Sequence, residues 1–383
     1  MAFLRLFLLS RQPATGFMAM GLMWGGFAAL VPVFRERIEV SDGTFGAMLA
    51  ASAGGLLVAM LLAPRFDAGS RGRSMQIAAI GLAGAFLLIG WATTPLAFVL
   101  ALVAAAFAAG TFDVVMNARV SELESRHRRS LMNFAHAMFS LAYGAGAFAT
   151  GLAREAGWGP LEVFLALGAV VVLLALSLRM TPEAPLDGAP AKVALPWAVI
   201  VPGGLFVLIA FQAEASVEAW SALHIERSLG GRAVEGAFGP TMLGLTMAAG
   251  RFAGQALAER IGERRLLTWA IVVSASGTLV AAGAPSEPVA YLGFGIVGLG
   301  ISVLAPTALA MVGTRVGPGP RAFAISRVAA IGFSAFFIGP AVMGGVSELF
   351  GLRVAFAFVG VLLLMAFVPL AVLVRQPKRL VAT

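Results

Sequence analysis

The chain has no cysteine, and only two lysines, two tyrosines and three histidines among its 383 residues. Without cysteine there is no disulfide, no thiol nucleophile and no thiolate metal site. The lysines, Lys192 and Lys378, lie outside any Gly-x4-Gly-Lys-Ser/Thr context, so no loop cradles a nucleotide phosphate and the chain is not its own ATPase. His127, His136 and His224 stand far apart, with no His-Glu-x2-His pair to hold a metal. Gly332-Phe-Ser334-Ala-Phe336 lacks the closing glycine of a nucleophile elbow. No enzyme, metal or cofactor is expected. Charge is also scarce, at 12% of residues where soluble domains carry about a quarter. The net charge of +8 forms neither stripe nor tail, so nucleic acid is not an expected partner.

What the chain has is apolar sequence: 60% hydrophobic residues and a mean hydropathy of +0.92. A bilayer span needs ~20 apolar residues and must be helical, since an open sheet edge leaves backbone groups unsatisfied in lipid. Twelve such stretches are read, at about 12–34, 43–63, 75–93, 96–118, 131–153, 161–179, 195–220, 235–258, 264–284, 288–312, 322–346 and 354–374. The first leads directly into a full-length span rather than to a cleavage site, so no signal peptide is expected. The proline-rich stretch 180–194 divides a six-span unit, residues 1–179, from a second, residues 195–383. Both halves place basic loops after their second and fourth spans, as a parallel repeat does. Between spans, basic residues fall mostly on the side of the two termini. The opposite side holds six: Arg35, Arg37, Arg154, Arg227, Arg232 and Arg353. The positive-inside rule therefore predicts cytoplasmic termini.

Polar residues inside apolar spans are costly, and they mark function by default. Asp113 and Asn117 are four apart and share a helix face. Asp113 is either a proton-coupling or substrate carboxylate or one half of a fixed pair with an arginine such as Arg119. His136 reads equally as a proton relay or a packing histidine, with Arg327 at the corresponding place in the second half. Glu214 and Glu218 also share a face, Glu214 deeper and protonatable, Glu218 toward the water opposite the termini. Trp24, Phe27, Tyr143, Gln212 and Trp220 either line a central cavity or pack as core. Gly21-x3-Gly25 and Gly250-x3-Gly254 permit close helix approach.

Gly250-Arg251-x2-Gly254-x2-Leu257-x2-Arg260-x-Gly262-x2-Arg265 resembles the signature loop of the major facilitator superfamily, and Pro64-Arg65-Phe66-Asp67 with Arg71-Gly72-Arg73 is its degraded first-half counterpart. Asp113-Val-x-Met116-Asn117, Glu124, Met132, His136 and Phe139-Ser140 resemble a bacterial sugar-permease-like subgroup, distantly akin to fucose permeases. Glu214, Trp220-Ser221-Ala222 and Gly339-Pro340 extend that likeness over the whole chain. Ala219 stands where the subgroup has an acid, and Phe27 and Leu30 stand in place of a tryptophan and an arginine, which removes a bidentate anchor. The resemblance implies an all-α membrane protein of two six-helix bundles, a monomer in a bacterial inner membrane, moving a small-molecule substrate. Proton symport of a polar or sugar-like solute is the expectation, with proton-antiport export of amphipathic compounds as the alternative. It also implies a cytoplasmic gate of Arg251, Arg260 and Arg265 with Arg65 and Glu124.

Overall fold

A computed structural model describes residues 2–182, 195–316 and 321–377. Lys192, Lys378 and most of the 180–194 connection lie outside the described residues. The first half of the chain forms α1 (Ala2–Leu9), α2 (Arg11–Arg37), α3 (Asp42–Gly69), α4 (Ser74–Trp91), α5 (Pro95–His127), α6 (Met132–Glu155) and α7 (Pro160–Ala175). The second forms α8 (Trp197–Leu229), α9 (Ala233–Ile261), α10 (Glu263–Gly283), α11 (Glu287–Ile301), α12 (Leu304–Arg315), α13 (Arg321–Phe333), α14 (Ala335–Met365) and α15 (Phe367–Arg375).

Local chemistry sets several of these ends. Thr94 Oγ1 accepts the Ala97 N–H at 3.3 Å and Pro95 opens α5, where a missing N–H costs nothing. Gly351 takes φ 81° inside α14, so one apolar run becomes two helical segments joined at a kink. Eight described segments are long and apolar enough to cross a membrane, against the twelve expected. The difference has physical causes. Phe323–Arg375 is long enough for two crossings and is counted as one across Gly351. α7 has 16 residues, and α6 and α9 dilute their apolar runs with polar side chains such as His136, Ser140, Thr241 and Arg251. α1 is a short helix ahead of the first span that the span reading did not anticipate.

Small residues bring backbones together. A Cβ on Gly25 would overlap the Tyr143 carbonyl oxygen, and one on Gly21 the Phe139 carbonyl, so α2 and α6 pack at backbone distance. Gly25→Val is expected to force these helices apart and lower the unfolding temperature by several degrees, consistent with an overpacking cost of about 1–3 kcal/mol. A melting curve unchanged from wild type would rule that contact out as a determinant of stability. Between the two halves, α6 lies along α9 and α3 lies against α14. Gly144 meets Gly244 in the first contact, and Gly46 meets Gly344 in the second. α5 packs on α2, α3, α4 and α6, and on no second-half helix beyond passing contact. Charged side-chain bonds between the halves gather at the end away from the termini, called distal here.

Candidate functional site

The side chain that ties the middle of the molecule together is Arg251. It sits ten residues before the end of α9, about 15 Å inside the helix, rather than in the basic loop where the motif resemblance placed it. Its Nη2 pairs with Glu214 Oε1 of α8 at 3.1 Å. Its Nη1 donates to the His136 carbonyl oxygen at 3.2 Å and to Ser140 Oγ, both on α6. One guanidinium thus joins two second-half helices to a first-half helix, with both partners of the ion pair only 13% and 15% exposed. A charge held this deep needs its partners, because leaving either one unpaired is costly. Glu218, one turn on from Glu214, lies close enough to interact with Glu214, Arg251 and Tyr143. The Tyr143 hydroxyl donates to the Glu218 backbone oxygen at 3.4 Å. Glu218 therefore belongs to the central cluster and not to the distal water.

The remaining expected residues divide. Asp113 is half-buried on α5, and its backbone oxygen accepts from Asn117 Nδ2 at 2.9 Å. Arg119 is not its partner. That arginine, 1% exposed, pairs with Asp67 and Glu122, while Ser74 Oγ donates to Asp67 Oδ1 at 2.6 Å. His136 packs its ring on Phe17 at 4.8 Å. Tyr143 and Gln212 are buried, and Gln212 Nε2 donates to Ser216 Oγ at 3.2 Å. Trp220 is fully buried edge-on to Phe45, and neither its indole N–H nor Ser221 Oγ has a hydrogen-bond partner among the described residues. Trp24 and Phe27 belong to an aromatic cluster with Phe34, Phe86 and Phe164, so Phe27 is core. Arg327 is not brought to the cluster. It is exposed, without an ion pair among the described residues, and turned away from the face of α13 on which Val328 and Gly332 pack toward α8.

Of the remaining gate candidates, Arg65, Arg260 and Arg265 are exposed and make no ion pair among the described residues. Glu124 has a different job. Its Oε1 accepts the Leu131 and Met132 N–H groups at 2.6 and 2.8 Å, capping the start of α6.

A second constellation, at the distal end, was not legible in the chain. Asp42, 4% exposed at the start of α3, receives Arg35 Nε and Arg227 Nη1 at 2.8 Å each, and Ser347 Oγ at 2.6 Å. Glu348 accepts Ser41 Oγ and the Gly43 N–H, both at 2.7 Å. Arg154 grips Glu226 with two bonds of 2.6 and 2.9 Å, and Arg232 meets Glu155 at 3.0 Å. Each of these sets except the Arg35 bond crosses between the halves. Arg37 and Arg353 bond backbone carbonyls beside them, at Gly90 and at Ala282 and Ala284. All six arginines on the poorly basic side are therefore engaged. Their scarcity was the available signal.

The sequence pattern that defines the Major Facilitator Superfamily matches residues 14–240 and 204–382. An uncharacterised transporter of that type from Yersinia pestis is 29% identical over 370 residues, covering 93% of this chain and 94% of its own. The membrane protein MosC of Rhizobium meliloti is 26% identical, over 88% and 84%. Among solved structures, a bacterial homolog of the human lysosomal transporter Spinster, inward-facing and unoccupied, superposes with a TM-score of 0.74 at 15% identity, covering 99% of both chains. The nucleoside transporter NupG gives 0.68 at 16% identity, over 95% of this chain and 98% of its own.

Proposed function

The chain belongs to the Major Facilitator Superfamily, and on that premise we propose that it is a proton-coupled secondary transporter working by alternating access. The observation that carries the reading is Arg251, shared between Glu214 in one half and the α6 backbone and Ser140 in the other. A proton on Glu214 removes the charge that holds Nη2, which frees the guanidinium to move against α6. Protonation and helix–helix contact are thereby linked through one side chain. Asp113 on α5, with Asn117 one turn away, supplies a second carboxyl that makes no ion pair among the described residues. His136 enters through its backbone oxygen and beside the Arg251 charge, which argues for a positioning part rather than a relay.

We place the two halves, residues 1–179 and 195–383, as bundles that rock about this centre, with cytoplasmic termini in a bacterial inner membrane. The distal ion pairs then close the outer side, and the exposed Arg65, Arg260 and Arg265 belong to an open cytoplasmic side. That arrangement agrees with the inward-facing state of the Spinster homolog. The central cluster sets Glu214 and Glu218 against one arginine, so its surplus is negative and suits a neutral or cationic solute rather than an anion. Symport of a small polar metabolite is the first reading. Export by antiport is the second, favoured by an apolar first span in which Leu30 stands in place of the arginine of sugar-permease-like proteins.

Proteoliposomes containing a pH-reporting dye test this. Outside addition of a transported solute, with no imposed gradient, is expected to acidify the lumen. Glu214→Gln and Asp113→Asn should each lower that rate at least ~10-fold, the loss that removing one proton-carrying group produces. Acidification that persists in both variants contradicts the coupling assignment. Alkalinisation from proton-loaded vesicles assigns antiport instead.

A further inference from the structure

We propose that the groove between α3, α4 and α5 is a binding site for one anionic phospholipid, with the lipid phosphate on Arg65. The groove has a volume of about 720 Å³. Its floor is small, formed by Ala104, Ala108 and Thr111 of α5, and its walls include Gly81 and Leu88 of α4. Side chains around it that would shun water are bare: Leu62, Ile77, Leu88 and Phe107 are 38–51% exposed. On a membrane-spanning surface such a concavity is filled by lipid chains. From Ile77 to Leu88 it runs eleven residues of helix, about 16 Å, which matches half of a ~30 Å hydrocarbon core. One leaflet's acyl chain fits that depth.

The charge at its mouth selects the headgroup. Arg65 lines the groove at the end where the chain termini lie, exposed and without an ion pair among the described residues. The acid nearest in sequence, Asp67, is committed to Arg119 and Ser74. Arg71 and Arg73, in the turn that leads into α4, are likewise exposed and make no ion pair among the described residues. A guanidinium fork matches a phosphodiester bidentately, and three cations with no answering acid favour a headgroup of net negative charge.

Two glycines on α4 make a clean test. A Cβ on Gly81 or on Gly84 meets nothing within 4 Å, yet only Gly81 lines the groove. Gly81→Leu therefore fills the groove without displacing a neighbour, and Gly84→Leu is its control. The full chain, purified in detergent, is titrated with phosphatidylglycerol, with phosphatidylcholine of the same acyl chains, and with inorganic phosphate. Retained lipid is counted by native mass spectrometry. Phosphatidylglycerol is expected to remain bound to the wild type and to Gly84→Leu. Arg65→Gln should weaken it about fivefold, the effect of one basic residue at an anionic lipid, and Gly81→Leu should abolish it. Equal retention by Arg65→Gln and Gly81→Leu overturns the proposal. So does equal binding of phosphatidylcholine, or displacement of the lipid by inorganic phosphate alone.

Discussion

Arg251→Ala is expected to abolish solute-driven proton movement, by about 100-fold or more, and to destabilise the folded protein. Removing one partner of a buried ion pair leaves the other uncompensated, at a cost of ~3–5 kcal/mol, which as an equilibrium factor exceeds ~100. Here the abandoned partner is Glu214, 15% exposed, with Glu218 one turn away to repel it. The same substitution deletes both bonds to α6, so the halves lose their central link. Stability and coupling are separable by pairing Arg251→Gln with Glu214→Gln. That double variant strands neither partner of the pair and relieves the repulsion between Glu214 and Glu218, so it should recover most of the melting temperature, but not transport. If the single variant transports normally, Arg251 is a packing residue and the coupling role assigned to it is wrong. If the double variant transports, the ion pair is structural.

Asp42→Asn carries the second large effect, at the other end of the molecule. Asp42 gathers Arg35, Arg227 and Ser347 at one carboxylate, and Arg227 and Ser347 reach it from the second half of the chain. Both arginine partners are about a third exposed, at 31% and 37%, so water screens the pair and the full cost of a buried pair does not apply. A loss of ~2 kcal/mol is the reasonable scale, between exposed and buried pairs, and it corresponds to about a 30-fold shift away from the closed distal end. A cysteine in place of Ser347, 3% exposed in the closed α3–α14 contact, reports that shift through its labelling rate by a membrane-impermeant thiol reagent. The wild-type background contains no cysteine to interfere. Asp42→Asn should raise the rate by about the same factor. An unchanged rate would mean that apolar contact, rather than this carboxylate, holds the distal end shut.

These two residues show what the chain made legible. The all-helical architecture, the break between the last two apolar runs near Gly351 and the close α2–α6 packing all follow from local signals: apolar runs of membrane length, a glycine between two of them, and small residues four apart. Glu214 was recognisable because a carboxyl in an apolar stretch is conspicuous on its own. Its partner was not. Arg251 falls within the span read at 235–258, but it also opens a motif that resembles a loop signature and so reads as a gate residue; α9 carries it about three turns inside the helix. The distal lock was hidden for a different reason. Its bonds join residues 185 and 305 positions apart, so no periodicity or spacing records them. Arg35 and Arg227 counted in the sequence only as exceptions to a charge bias. Arg119 was legible as an arginine near Asp113, yet a shorter path along α5 and across to α3 gave it Glu122 and Asp67 instead.

The central claim is that the closed distal end must open in every cycle. Ser41 and Glu348 touch across it, with a 2.7 Å hydrogen bond between their side chains. Cysteines at these two positions, in a chain that otherwise has none, are to be joined by a short bifunctional, reducible thiol reagent in proteoliposomes while solute flux is followed. Transport should fall to background once the bridge forms and return after reduction. Flux that continues undiminished through the bridged protein would contradict alternating access about this end.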